Sequence, residues 1–438
     1  MSGAPALLAA LDAPARILVA PGALHAPAAP VRPQPSSRAT SLDADGLTWR
    51  EHAPDTPRFH GPSAGSGPSA GSGPSAGSGP GRALLIEGAR TNLLRNPRFE
   101  GAVPGLVGSG GAVPTQMSWT FAAGHTLTVH ALGPVQGLPC LEIEFTAPGA
   151  GSSTLGLEVA SGVALQPNTT YTVSILAQIT GGSTAGFSNF GIRGRTDAAT
   201  ALNHPFTSLL AVSTTALTRI TSSFTTAADA SSGRMQLIFV TGGAANIRLR
   251  LAAPQMEAGG FASTPILPLA GSPAPGTRGA DLVTAALPAL GIGPNGACTL
   301  LLSGTLPQAA GALPQTLLQL DDGTAANGVA LLNEAGGTLV LRRLLAGAAA
   351  DAAPGTFTPG TRLRLGLALD GTGRAAASLN GAALVAVTGA PTTGLTTLRL
   401  GNGPAGDRPA FVEAASLRSR PYALPDPALA AAVAALPS

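Results

Sequence analysis

The chain has 438 residues and a formal net charge of +3; only 11% of residues are charged and 4% aromatic, against 58 Gly and 39 Pro. All 25 basic residues are arginine, which excludes lysine nucleophiles, Schiff bases and phosphate-loop lysines. At ~150 residues per domain the length predicts two or three domains, and arginines scattered without a basic stripe exclude a nucleic-acid surface.

No run reaches the ~18 apolar residues of a membrane span, so no membrane insertion is expected. The apolar opening segment lacks a basic n-region and is broken by Asp12 and Arg16, so it does not read as a secretion signal. Cys140 and Cys298 lie far apart, which speaks against a disulfide framework or a cysteine-built metal site. His125 and His130 stand at odd spacing in a strand-like stretch, on opposite faces, and read as surface or edge histidines rather than ligands. No cofactor and no metal are expected.

Residues 1–60 form a Pro- and Ala-rich arm with a short helical pattern over 5–19 and little else. Residues 61–82 hold GPSAGS three times in tandem, a segment with no side chains to bury against its ordering cost, and read as a linker or surface strap. From 83 to 268 the pattern is short period-two runs bounded by Gly, Pro, Asn and Ser: 126–130, 141–145, 170–177, 219–224, 235–240 and 247–251. These predict antiparallel strands with one buried face.

A Pro/Gly cluster over 265–276 leads to a second block, 277–438, with strands predicted at 298–302, 316–320, 328–332, 338–342, 361–369, 375–379, 383–387 and 396–400. Turn residues separate them, such as Asp370-Gly371-Thr372-Gly373 and Asn380-Gly381. The tail 426–436 is a short Ala-rich helix candidate with Asp426 as N-cap and Pro427 at its first position. The fold class is therefore all-β: two antiparallel β-sandwiches of jelly-roll type in series, preceded by an extended arm and followed by a short helix.

Three segments carry a resemblance. Asp55-Thr-Pro-Arg-Phe59, followed after the linker by Leu84-Leu-Ile-Glu-Gly-Ala-Arg-Thr-Asn-Leu-Leu94, resembles the "PRF … LLIEEARTNLL" opening of bacteriophage and prophage tail or virion proteins. Residues 165–177 look like the "L-x-P-x-T-x-Y-T-x-S" strand of the carbohydrate-binding-module-like jelly roll found there, and residues 251–266 are similar to its closing "PQLEAG-x-FATSYI". The last block, with Ser378-Leu-Asn-Gly381 and residues 397–402, resembles a concanavalin- or laminin-G-like lectin fold.

The resemblance implies a structural virion protein of tail-fibre or spike type, located in a phage or phage-like particle. It implies an arm that binds other virion or tail proteins, a homo-oligomer, and lectin-like sandwiches that touch host-surface glycans. The alternatives are a purely architectural capsid or tail decoration protein and a glycan-depolymerising tail enzyme. The enzyme would need two carboxylates across a cleft about 5 to 10 Å apart. Glu142 and Glu144 instead share the solvent face of one strand, and Asp321 and Asp322 fall in a turn. Asp321, Asp322 and Asp370 are the loop donors available to calcium, but no D-x-D-x-D loop accompanies them. A non-enzymatic role is therefore expected.

Glu87, Arg90 and Asn92 are expected to satisfy one another and nearby backbone where a strap crosses a sandwich. The candidate glycan contacts are Trp119, which reads equally as core, with Asn189, Arg193 and Arg195 acting through hydrogen bonds. Of the 2 Tyr, Tyr171 reads as core and Tyr422 as packing for the terminal helix, which leaves few aromatic platforms for sugars.

Overall fold

The computed structural model describes residues 16–20, 23–24, 39–43, 45, 47–53, 58–61, 83–271, 273–311 and 313–437. Most of the arm and all of the GPSAGS segment beyond Gly61 lie outside the described residues. What is described is almost entirely antiparallel β-structure, organised around two separate apolar cores.

The first core lies between a seven-stranded and a six-stranded sheet. The seven-stranded sheet runs, in spatial order, Thr218–Thr225, Thr170–Gly182, Ala245–Ala258, Leu138–Ala147, Thr126–Val135, Gly105–Val107 and Gly110–Gly111. Facing it are Ser118–Thr120, Gly151–Gly156, Ser232–Thr241, Phe187–Thr196 and Asn203–Ser208, with Val163–Ala164 paired beside Ser232–Thr241. Alternation dictates what meets inside: Leu141, Ile143 and Phe145 point inward from one sheet, Met235, Leu237 and Phe239 from the other. Phe145 and Phe239 stack with ring centroids 4.4 Å apart across the sandwich.

The second core is built on leucine, with Leu300, Leu302, Leu318, Leu320, Leu331, Leu341, Leu365 and Leu367 all at most 1% exposed. It sits between a nine-stranded sheet and a six-stranded one. The nine-stranded sheet recruits strands from the arm. Arg16–Ala20 pairs with Val412–Arg420, and Phe59–His60 pairs with Ala83–Ile86, which continues onto the same Val412–Arg420 strand. The helical pattern expected over 5–19 is thus corrected at its end: 16–20 is a strand, because an open sheet edge offers it a hydrogen-bond partner that local propensity does not supply. The rest of that pattern lies outside the described residues.

The helix Asp426–Ala434 lies on the outer face of the nine-stranded sheet, where Leu429 and Val433 meet Leu301, Ala368 and Ala376. A side chain at Gly366 would overlap Leu429 and Val433, so glycine sets the depth at which the helix seats. Pro425, not Asp426, occupies the N-cap position, and Asp426 makes no capping bond. Its carboxylate instead accepts both NH2 contacts of Arg374, at 2.7 and 2.8 Å. The expected Asn380-Gly381 turn is present with φ of 55° and 80°, the left-handed pair that a tight hairpin requires.

Candidate functional site

The residues that carry the sequence resemblance converge in the interior. Arg58 is 1% exposed and reaches Glu87 at 2.5 Å and Asp281, while Arg278, wholly buried, reaches Glu87 at 2.9 Å. Glu87 also accepts the Thr264 backbone N–H at 2.9 Å and the Thr264 hydroxyl at 2.7 Å. Burial works against its charge, but Arg278, Arg58 and the Thr264 N–H outweigh it and hold the carboxyl at about 2. Nearby, Glu257 accepts the Ser263 N–H at 2.8 Å and hydroxyl at 2.5 Å. Apart from Arg278 Nε these groups are consumed by one another, and all are buried, so the cluster joins chain segments.

Glu87, Arg90 and Asn92 are satisfied, but not by one another as expected. Arg90 bonds the Ala258 carbonyl and lies 4.6 Å over the Phe261 ring. Asn92 donates to the Pro254 carbonyl and accepts the Met256 N–H, each at 3.0 Å. Arg90 and Asn92, alternate residues on one face of a short strand, both reach the Ala245–Ala258 strand, while Glu87 lies before that strand and turns to Arg58, Arg278 and Thr264.

Among the candidate glycan contacts, Asn189, Arg193 and Arg195 share one surface. All three lie on the outer face of the Phe187–Thr196 strand, whose inward residues Phe190 and Ile192 are core. Trp119 is elsewhere: opposite Leu155 in the register, it points inward, with its ring 6.0 Å from Phe239 and 6.2 Å from Phe145. It is half-buried, and the ring of the exposed Phe121 stacks on it at 6.2 Å.

Strand pairing adds residues that no local pattern reveals. Arg195 stands directly opposite Arg234, and Arg193 opposite Gln236. On the other side of the same strand Arg193 faces Phe206 and Arg195 faces Asn203. Arg193 donates from Nε to Gln236 Oε1 at 3.1 Å, and Arg195 donates to Asn203 Oδ1 at 3.4 Å. The Arg234 side chain makes no hydrogen bond or ion pair among the described residues. Burial, and then the charge of Arg195, hold both Arg193 and Arg234 below the ordinary arginine value, yet a guanidinium remains charged.

A cleft of about 180 Å³ opens beside Arg195 and Arg234, walled by Ser161, Gly162, Gly233 and Leu202. Gly162 has φ of 70° and packs against Gly233, so a side chain there would strike the neighbouring backbone and fill the cleft's wall. Asp197 lies at the same place, but its carboxylate accepts the Ser231 hydroxyl at 2.5 Å and the Ser231 and Ser232 N–H groups at 2.9 Å each. Those bonds hold it well below the usual carboxylate range, and among the described residues it forms no ion pair with the arginines. This volume is below the roughly 300–1,000 Å³ of sites that engulf a drug-sized ligand, so the cleft takes one ring or one charged group of a longer chain.

The remaining candidates have structural partners. Glu142 is 9% exposed, not the open solvent-face residue expected, because Arg248 and Arg250 fold over it at 2.6 and 2.9 Å. Glu144 meets His130 at 2.6 Å. His125, expected at the surface, is buried against Ser153 and the edge of Phe145, while His130 does lie on the opposite face. Asp321 is buried and held by Arg399, Asp322 caps Thr324 and Asn327, and Asp370 accepts Thr372, Gly373 and Arg374. Among the described residues no three His, Cys, Asp or Glu side chains gather as a metal site, and no helix is long and apolar enough to cross a membrane.

No family model matches the sequence. No curated protein matches it either. Among solved structures, the CBM40 module of the Ruminococcus gnavus IT-sialidase, determined with α2,3-sialyllactose, is 16% identical. That likeness covers 31% of this chain and 82% of that one, with a TM-score of 0.27. The tripod (BppUct-A-L) from the baseplate of bacteriophage Tuc2009 is 13% identical over 63% of this chain and 92% of that one, with a TM-score of 0.27. The N-terminal CBM22-1–CBM22-2 tandem domain of Paenibacillus barcinonensis Xyn10C is 12% identical over 77% of this chain and 98% of that one, with a TM-score of 0.23. Superpositions this loose decide no shared role, and what the chain does has to be argued from its own residues.

Proposed function

We propose that the chain is a non-enzymatic structural component of a phage or phage-like particle, of tail-fibre or spike type, that displays lectin-like sandwiches to host-surface glycans. In this reading residues 1–60 carry attachment to other virion proteins, 61–82 are the GPSAGS linker, 83–268 are the carbohydrate-binding-module-like sandwich and 277–438 the lectin-like one. Its assembly as a homo-oligomer follows from the same resemblance. The observation that carries the glycan part is the outer sheet face on which Arg193, Arg195 and Arg234 stand with Gln236, Asn203 and Asn189, beside the cleft. Polar side chains there have spare hydrogen-bonding capacity next to an exposed ring, Phe206, which is the composition that sugar recognition uses.

Two measurements test it. Mass spectrometry of purified particles is expected to find the chain, and its absence sinks the virion reading. A glycan array with the full chain is expected to give binding that is lost in an Arg193→Gln/Arg195→Gln double variant. The architectural alternative draws on a different observation, that the motif residues Arg58, Glu87 and Thr264 serve only to lock segments together. A blank array with normal particle incorporation would favour it.

A further inference from the structure

The outer face of the six-stranded sheet carries a charge arrangement that folding alone disfavours. Arg195 and Arg234 are direct cross-strand partners, which puts their Cβ atoms about 5 Å apart, and like charges so placed destabilise a sheet. Arg193 stands two residues along on the same face, about 7 Å away. Their hydrogen-bond acceptors, Gln236 and Asn203, are neutral. The nearby acid, Asp197, is spent on Ser231 and Ser232.

The other sheet of the same sandwich treats the problem differently. There Arg248 and Arg250 also stand two apart on an outer face, and Glu142 between them binds both. A carboxylate paired to such arginines is therefore available to this fold, whereas among the described residues none is ion-paired to Arg193, Arg195 or Arg234, and Asp197, at the cleft, is held by Ser231 and Ser232. The missing negative charge is what a bound partner would bring.

Resting on the glycan-binding reading, we infer that this face recognises an acidic saccharide, a sugar carrying a carboxylate or sulfate. Its anionic group sits at the cleft between Arg195 and Arg234, where two guanidinium forks converge on one set of oxygens. Arg193 and Asn189 lie along the Phe187–Thr196 strand for neighbouring hydroxyls, and Phe206, 36% exposed and opposite Arg193, offers a ring for an adjacent sugar. A neutral glycan would leave the repulsion between the arginines in place, and an anionic one relieves it.

The test is affinity electrophoresis of the full chain through gels containing polygalacturonate, dextran sulfate or neutral dextran. Retardation by one or both acidic polymers and not by dextran is expected, and which polymer retards distinguishes carboxylate from sulfate. Arg234→Gln is expected to weaken retardation about ten- to a hundred-fold, the loss of one charge-assisted contact. Its melting temperature should stay level or rise, because a like-charge neighbour is removed; a fall would make Arg234 a structural residue and overturn the inference.

Arg50→Gln, at an exposed arginine paired with Asp43, controls for net charge. An equal loss in that variant reduces the effect to non-specific attraction and overturns the inference. Retardation by duplex DNA of equal strength and equal sensitivity to Arg234→Gln reassigns the face to phosphate and also overturns it. Binding of neutral dextran that depends on Arg234 overturns the acidic preference while the glycan reading stands. No retention in any gel overturns the inference, and only a blank array besides removes the glycan reading.

Discussion

Replacing Glu87 with glutamine keeps the side chain's volume and removes one charge from a buried set in which two arginines, Arg58 and Arg278, face two acids, Glu87 and Asp281. The variant leaves a surplus positive charge in the interior and turns an amide donor toward guanidinium donors. Removing one partner from a buried pair costs about 3–5 kcal/mol. Linkage gives a similar figure: a carboxyl near 4.5 when unfolded and at about 2 when folded contributes about 3 kcal/mol at neutral pH. Because the folded value is depressed, that contribution is complete above about 4.5 and fades as pH falls toward 2. For a cooperative unit of sandwich size the loss amounts to a melting point lower by roughly 6–12 °C. Calorimetry of both proteins between pH 3 and 8 measures it, with the gap expected to be full at pH 7 and to narrow below pH 4.5. A gap under 1 kcal/mol, or one that does not change with pH, would refute the claim that charge pairing holds these segments.

Glu413 should behave in the opposite sense. Burial, reinforced by the charge of Glu87 and opposed by Arg362, raises its carboxyl to about 8, so native stability falls as pH rises from about 4.5 toward 8. Glu413→Gln is expected to be more stable by on the order of 4 kcal/mol at pH 8, with the advantage gone at pH 4.5, as read from melting curves. Deleting one GPSAGS copy should shift stability by only about 0.3 kcal/mol, since Phe59–His60 and Ala83–Ile86 are paired strands and the intervening residues merely close a loop between fixed ends; urea titration checks this. Burial pushes the Cys140 and Cys298 thiols up to about 11 and about 12, so a thiol-specific disulfide reagent at pH 8 should label neither until the protein is unfolded.

Alternation made the strands of one-sided burial readable. In Leu138–Ala147 the residues Leu141, Ile143 and Phe145 meet the core while Glu142 and Glu144 face away, so the pattern stands in the sequence itself. Gly151–Gly156, Asn203–Ser208 and Ala348–Thr356 carry no such signal, because their small or polar residues offer little contrast and it is their neighbours that make them strands. Ala348–Thr356 even contains Pro354, tolerated because this strand is the edge of its sheet. The candidate site divides in the same way. Arg193 and Arg195 are visible as an alternating pair, but Arg234 joins them only through a register that no local window contains. The inward turn of Trp119 likewise follows from its pairing with Leu155. The link between Arg58 and Glu87 was hidden by the linker between them, although both belong to the segments that carry the resemblance.

The strand Val412–Arg420 has one long edge shared by two early segments, Ala83–Ile86 against residues 412–414 and Arg16–Ala20 against residues 417–419. During synthesis the first sandwich can close as soon as its own strands have emerged. The second has to wait, with its early strands paired at most to one another, for roughly 20–80 s at ordinary elongation rates until residues some 400 positions later leave the ribosome. The early segments therefore keep one edge open until Val412–Arg420 emerges, and the second sandwich cannot be completed before the first.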